Sequence, residues 1–300
     1  MLWFFIAVAS QGANAVVQIL DKFLLTKKFP RPAVLTFWTA MTSALGVVFA
    51  LVDFNFFPGW RLLVLTLLSG AAFTVALQFF YMAFKEGEAS HISPFVGGLV
   101  PVATFGLSWF LLSERLAINQ QIAVALLVVG SLIMSFEKSR RHNGWHIGFL
   151  LGALAAIFFA LSSVLVKIVF LEETFSTGFV WARVGGVLAA LPFLLSPAVR
   201  AELFIGKKEQ KTDLKNGLGL LFLNKGLAAL AFVGLNFAIS LASATLVNAL
   251  AGVQFALLFI LIFFLSKTHS KFFREQFTTA EIISQSAGLI FIGTGLAMIV

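Results

Sequence analysis

The chain has no cysteine and few charged residues for its length. Without cysteine, its 300 residues can form no disulfide and offer no thiolate as a nucleophile or metal ligand. Charged residues make up 11% of the sequence, whereas soluble domains carry about 25%. Hydrophobic residues make up 60%, more than so short a chain could shield from water. The composition therefore predicts a polytopic membrane protein whose apolar helices face lipid.

Tyrosine and histidine are scarce as well, and no catalytic motif is present. One Tyr stands against 36 Phe, so the aromatic residues mostly supply packing or lipid-facing bulk. The four His residues are scattered, and the sequence has no zinc-protease motif, nucleophile elbow or glycine-rich phosphate loop. We therefore expect no enzyme activity, no catalytic residue, no metal and no cofactor.

The apolar residues fall into long uninterrupted segments. Ten segments of about 20 residues, the length of a spanning helix, lie near 2–25, 31–52, 62–84, 92–112, 118–136, 146–170, 177–197, 217–241, 245–265 and 279–300. The sequence thus predicts an all-α protein with ten transmembrane helices and both termini on one side. The first residues lack the basic and cleavable pattern of a signal peptide, so we expect no cleaved leader.

The basic residues are separated between alternate connections. Sixteen Lys and Arg residues follow the first, third, fifth, seventh and ninth segments, while the other connections hold only Arg61 and Arg115. By the positive-inside rule, the odd-numbered connections are cytoplasmic and both termini lie outside. The net charge of +8 therefore reflects membrane topology. Because no basic face has interleaved aromatics, we expect no nucleic-acid partner.

The two halves of the chain repeat one another. Aligned positions are 19–22 with 164–167, 37–38 with 180–181, 77–78 with 235–236, Pro101 with Gln254, and 129–130 with 292–293. Each half, 1–136 and 146–300, contains five segments. An odd number of spans turns the second copy over, so we predict two inverted five-helix repeats, an arrangement typical of transporters.

These repeats resemble a known family. Each fourth segment begins with small residues, at 89–90 and 244–245, and the first is followed by Leu-Ser-Glu-Arg-Leu at 112–116. Over nearly its whole length the chain resembles the EamA domain of the drug/metabolite transporter superfamily. An insertion at 267–274 interrupts the pattern before Glu275, the best match to the family's glutamate in the second half. The resemblance implies cytoplasmic termini, opposite to the charge count.

Polar residues inside the first segment lie on one helical face. Gln11, Asn14, Gln18 and Asp21 are spaced by three or four residues. Such a stripe would be costly against lipid, so it faces the protein interior or water. Two interpretations stay open, hydrogen bonding between helices and the wall of a cavity.

The resemblance implies that the first, third, fourth, sixth, eighth and ninth helices line a central cavity. From the polar residues of these helices we predict a substrate-binding set: Gln11, Asn14, Gln18, Gln78, Tyr81, His91, Asn224, Lys225, Asn236 and Asn248. Among them, Lys225 has the best claim to bind an anionic group of the substrate. Arg183, in the seventh segment, is expected to extend its side chain to the membrane surface instead.

Repeats and resemblance together predict a carrier in the cell (inner) membrane. We expect an exporter or exchanger of small polar or amphipathic metabolites such as amino acids, with one half moving against the other in alternating access. Its partners would be that small molecule and the lipid bilayer. No carboxylate lies in the middle of a predicted segment, which favours facilitated diffusion or exchange over proton antiport. A non-transporting scaffold or sensor, and less favourably an intramembrane enzyme, remain alternatives.

The charge asymmetry generates a topology prediction. We expect the connection at 197–217, which carries five basic residues, to be cytoplasmic and the C-terminus to lie outside. A C-terminal reporter that fluoresces only in the cytoplasm should therefore stay dark in intact cells. Bright cells would show that the topology follows the family pattern.

Overall fold

Helices form every regular element in the computed structural model, which describes residues 1–27, 30–87, 89–135, 147–205, 211–268 and 279–299. The α-helices are α1 (Leu2–Lys27), α2 (Pro32–Ser43), α3 (Trp60–Glu86), α4 (Ala89–Leu112), α5 (Ile118–Met134), α6 (Ile147–Phe170), α7 (Phe175–Ala190), α8 (Pro197–Arg200), α9 (Lys211–Leu241), α10 (Ala244–Ala249), α11 (Ala251–Thr268) and α12 (Thr279–Ile299). No strand occurs in these ranges, which confirms the all-α class.

Many of these helices have the length and composition of membrane spans. Within the described residues, eight stretches are long and apolar enough to cross a bilayer. They are Leu2–Thr26, Pro32–Leu51, Trp60–Glu86, His91–Leu112, Ile147–Phe170, Phe175–Leu195, Gly219–Leu241 and Ala244–Leu265. Two shorter apolar helices, Ile118–Met134 and Ile282–Met298, correspond to the fifth and tenth predicted segments. The prediction of a multi-pass membrane protein is confirmed.

Several spans are assembled from more than one helical type. α2 continues as a 3-10 helix over Ala44–Leu51, and α7 continues as another over Leu191–Leu195, where Pro192 cannot donate the next α-helical hydrogen bond. α4 runs through both of its prolines as one helix. The ninth predicted segment is divided into α10 and α11 at Leu250.

α3 packs closely against α6 and α7, and glycines make the contact between α3 and α7 possible. A Cβ atom at Gly70 would lie 1.8 Å from the Ala182 carbonyl oxygen, and one at Gly185 would lie 2.2 Å from that of Leu67. Thr74 Oγ1 donates a hydrogen bond of 3.0 Å to the Gly186 carbonyl oxygen across the same contact. Small residues allow two backbones to approach in this way, which is how helices associate in lipid.

α6 fulfils the packing role that its small residues indicate. Gly152 faces Val96 and Phe95 of α4, and the Ala156 and Ala160 side chains are buried. Ser69 of α3 donates a hydrogen bond of 2.9 Å to the Ser162 carbonyl oxygen of α6. α6 is thereby held between α3 and α4.

Two lysines bind the C-terminal ends of other helices. Lys22 of α1 donates to the carbonyl oxygens of Phe84 and Gly87 at the end of α3. Lys167 of α6 donates at 2.9 Å to the Ile239 carbonyl oxygen, near the end of α9. The last carbonyls of a helix lack intrahelical donors and carry partial negative charge, so an ammonium group satisfies both needs.

Some sequence predictions fall outside the described residues. They are the boundary between the predicted halves at 136–146, the middle of the basic connection at 206–210, and most of the insertion with Glu275 at 269–278.

The α3–α7 contact predicts the effect of a single methyl group. Gly185→Ala would force α7 away from the Leu67 carbonyl, so we expect the free energy of unfolding to fall by about 1–3 kcal/mol, the usual cost of overpacking. Thermal unfolding of the purified protein in detergent measures this. The matched control is Gly106→Ala in α4, where a Cβ atom meets nothing within 4 Å. Equal stability of the two variants would contradict the close contact.

Candidate functional site: a central cavity

A cavity of about 270 Å³ lies among the helices that come from both halves of the chain. Its wall is largely apolar, with a minority of polar side chains, which is the usual composition of a small-molecule site. The polar lining residues are Gln11, Asn14, Gln18, Asp21, Thr39, Thr42, Ser43, Tyr81, Ser93, Ser162, Ser163, Arg183, Lys225, Asn236, Asn248 and Gln254. The aromatic wall consists of Phe73, Phe80, Phe159, Phe179, Phe232 and Phe255.

The structure brings seven of the ten predicted site residues to this cavity. They are Gln11, Asn14, Gln18, Tyr81, Lys225, Asn236 and Asn248. The other three lie outside its wall. Gln78 accepts a hydrogen bond of 2.8 Å from Thr36, Asn224 donates one of 2.7 Å to Asp21, and His91 is buried at 1% exposure.

The polar stripe of α1 serves both of the roles that the sequence left open. All four of its members line the cavity. Gln18 also accepts a hydrogen bond from Ser93 of α4 through its Oε1 atom, so the stripe joins helices as well.

A buried network of hydrogen bonds joins α1, α3 and α9 at the cavity wall. Lys225 Nζ donates to Asp21 Oδ1 at 2.6 Å, and Asn224 Nδ2 donates to the same oxygen at 2.7 Å. The Tyr81 hydroxyl donates to Asp21 Oδ2 at 2.9 Å and accepts from Lys225 at 3.0 Å. Thr39 of α2 lies 3.3 Å from the same hydroxyl. The carboxylate therefore has a partner at each oxygen, as a buried charge requires.

This network bears on two expectations from the sequence. Lys225 was expected to offer its charge to the substrate, but its ammonium is already paired with Asp21. Asp21 lies toward the end of its helix, and it is 4% exposed and lines the cavity, as the inward-facing stripe of α1 predicts. Because Asp21 does not lie in the middle of α1, the expectation of proton-independent transport stays a prediction.

Arg183 of α7 is the cation that the sequence interpretation misplaced. Its side chain does not reach a membrane surface, because the residue is 4% exposed and lines the cavity. The guanidinium carbon lies 4.2 Å from the ring centre of Phe232, 5.1 Å from that of Phe179 and 5.5 Å from that of Phe73. The sequence did contain one indication of this location. Arg183 lies well inside a span, where a charged side chain is costly and usually belongs to a functional site.

The hydroxyls of α2 were also missed, and they left little signal. Thr39, Thr42 and Ser43 each donate a hydrogen bond to a carbonyl of the preceding helical turn. Such self-bonding makes Ser and Thr acceptable on any face of a membrane helix. Their residue type therefore does not reveal that they line a cavity.

Comparison with known proteins supports the fold and gives no function. No family model and no curated protein matches the chain. One solved structure, described as "Crystal structure of protein", is similar to this chain with a TM-score of 0.63 and 18% sequence identity. The match covers 99% of this chain and 94% of that chain. A likeness at this identity shows a shared helical fold alone.

The buried pair generates a stability prediction. Lys225→Met should lower the free energy of unfolding by about 3–5 kcal/mol, because it leaves the Asp21 carboxylate buried without its cation. The double variant Asp21→Asn/Lys225→Met should recover much of this loss, since neither of the two positions then carries an unpaired charge. Thermal unfolding in detergent measures both.

The matched control for this prediction is an exposed ion pair. Arg61→Met removes the partner of Glu172, and both side chains are largely exposed, so its cost should stay below about 1 kcal/mol. A Lys225→Met variant as stable as Arg61→Met would show that the buried pair does not stabilise the bundle.

Proposed function

We propose that the chain is a multi-pass carrier of the cell (inner) membrane, an exporter or exchanger of small polar or amphipathic metabolites such as amino acids. In this proposal, ten spanning helices form two inverted five-helix repeats of the EamA kind, and the halves alternate access to the substrate. The observation that carries it is the cavity, which is lined by helices of both halves and combines amides with an aromatic wall.

The lysine contacts at helix ends support the inverted repeats. Lys22 and Lys167 occupy aligned positions in the two halves. Each binds carbonyls near the end of the third helix of its own half, α3 in one case and α9 in the other. A shared long-range contact of this kind is expected from duplication of one five-helix unit.

The helix pairings support the same interpretation. α3 packs on α6, and α9, its counterpart, packs on α1. α4 likewise packs on α6, while α11 packs on α1, and the two last helices of the halves, α5 and α12, pack on each other. If each helix is replaced by its counterpart in the other half, the α3–α6 pair becomes α9–α1, the α4–α6 pair becomes α11–α1, and the α5–α12 pair is unchanged.

One pair of contacts breaks this symmetry and indicates how the halves would alternate. α3 and α7 are in close backbone contact, whereas their counterparts α9 and α2 touch far less. In the aligned repeats, Gly70 and Gly185 of the close contact correspond to Ala228 and Thr42, and these two residues line the cavity instead. Exchanging the two arrangements would close the α2–α9 side and open the α3–α7 side, which is the movement that alternating access requires.

Flux through reconstituted vesicles tests the function. Purified protein in liposomes should give saturable, counterflow-stimulated movement of at least one labelled amino acid or related metabolite from a panel. Turnover of a lipid or peptide without flux would instead indicate an intramembrane enzyme. Neither flux nor turnover would favour the scaffold or sensor.

The broken symmetry predicts a cross-link that stops transport. The chain has no native cysteine, so Thr42→Cys/Ala228→Cys introduces only the intended pair. If α2 and α9 approach during the cycle, an oxidant or a short bifunctional thiol reagent should join the two cysteines. Flux should then fall to the level of empty liposomes, and reduction should restore it after disulfide formation.

The two single-cysteine variants are the controls for this experiment, and each should keep its flux under the same treatment. Failure of the pair to cross-link, or a cross-linked protein with full flux, would contradict the proposed movement.

A further inference from the structure

The guanidinium of Arg183 is buried at the cavity without a counterion. No carboxylate forms an ion pair with it in the part of the chain that the structure describes, and its Nε atom is buried with no hydrogen-bond partner. The charged residues of the cavity wall are Asp21, Lys225 and Arg183. Since Asp21 and Lys225 neutralise each other, the side chains of the cavity wall carry one uncompensated positive charge.

Such a charge is costly, and its surroundings compensate it only in part. Burying a cation without a partner costs several kcal/mol in proteins and membranes, by order of magnitude. The three phenyl rings around Arg183 attract the cation through their faces. A ring face leaves most of the five N–H donors of a guanidinium unused, because those donors need oxygen acceptors in the plane of the group. The site therefore holds the charge in place and keeps donors available.

The chemistry of the missing partner follows from the number of charges and from the wall. A planar guanidinium binds a carboxylate through two parallel hydrogen bonds, which makes a carboxylate the best match to its donors. One uncompensated cation neutralises one negative charge, so a dianion would remain unbalanced in this cavity. The rings that surround Arg183 require an apolar group next to the carboxylate.

We propose that Arg183 is the anion-binding residue of the cavity and that its ligands are small monocarboxylates with an aromatic or aliphatic body. The carboxylate binds the guanidinium, and the body packs against the Phe73, Phe179 and Phe232 rings. Other amides of the cavity wall, such as Asn14 and Asn236, are available to further polar groups of the ligand. This assignment rests on the proposed function, because it names the substrate class of the same cavity.

Binding to the purified full chain in detergent tests the assignment without any need for flux. Isothermal titration compares phenylacetate with phenylacetamide, two probes of nearly equal shape that differ in charge. The wild type should bind phenylacetate more tightly. Arg183→Gln should weaken phenylacetate binding by roughly 10- to 100-fold, the range for a hydrogen-bonded charge. Its affinity for phenylacetamide should change by less than about threefold, which a merely structural role for Arg183 would not produce.

Two further variants make the result specific. Arg61→Gln removes an exposed arginine outside the cavity and should leave both affinities unchanged. Arg183→Lys keeps the charge and loses the planar fork, so it should retain the preference for phenylacetate with a smaller margin. If Arg183→Gln does not fold, this smaller preference in Arg183→Lys is the result that tests the assignment.

The possible outcomes separate this assignment from the proposed function. A wild type that binds neither phenylacetate nor hexanoate, or that binds phenylacetamide as tightly as phenylacetate, overturns the anion site. An unchanged preference for phenylacetate in Arg183→Gln overturns it as well. Charge-selective binding that depends on Arg183, with no flux of any bound probe in liposomes, supports the anion site and contradicts the carrier.

Discussion

The ion pair between Asp21 and Lys225 is the interaction on which the interior of this bundle depends. It joins α1 to α9, two helices from opposite halves of the chain, and Tyr81 ties the pair to α3. In a medium without water, an unpaired member of such a pair would cost far more than the pair contributes. The pair therefore fixes which helices must stay together. It also makes this part of the wall electrically neutral, so that the charge of the cavity comes from Arg183.

The network has no polar counterpart in the other half of the chain. At the aligned positions of the other half, Asp21, Tyr81 and Lys225 correspond to Val166, Ile239 and Leu67, which are apolar. The two sides of the cavity are thus held by different physical means. One side has charges and hydrogen bonds, whereas the other has backbones in contact at glycines. The proposed duplication would explain the helix pairings that the two halves share, and later divergence would explain the polar residues that occur once.

Much of the fold could be predicted from the sequence, because a helix in lipid is determined by local composition. Each of the ten predicted apolar segments contains a helix, and the stripe on α1 correctly indicated an inward face. What could not be predicted is which distant side chains meet. Asp21 lies in α1 and Lys225 in α9, and nothing in a single sequence shows that these two side chains meet. Lys225 was therefore assigned to the substrate, and Arg183, whose side chain faces three phenyl rings, was assigned to the membrane surface. A membrane-embedded cation is explained only when its partners are known.

The uncompensated charge of Arg183 has an electrical consequence. An elementary charge that moves through the whole membrane field gains or loses about 2.3 kcal/mol per 100 mV. A rearrangement that moves the unpaired guanidinium through part of that field is therefore driven or opposed by the membrane potential. In the proposed carrier, a monoanion bound to the guanidinium would make the same rearrangement electrically silent. The membrane potential would then determine which side of the membrane the cavity of the unliganded protein faces. The orientation of the liganded protein would depend only on the substrate concentrations on the two sides.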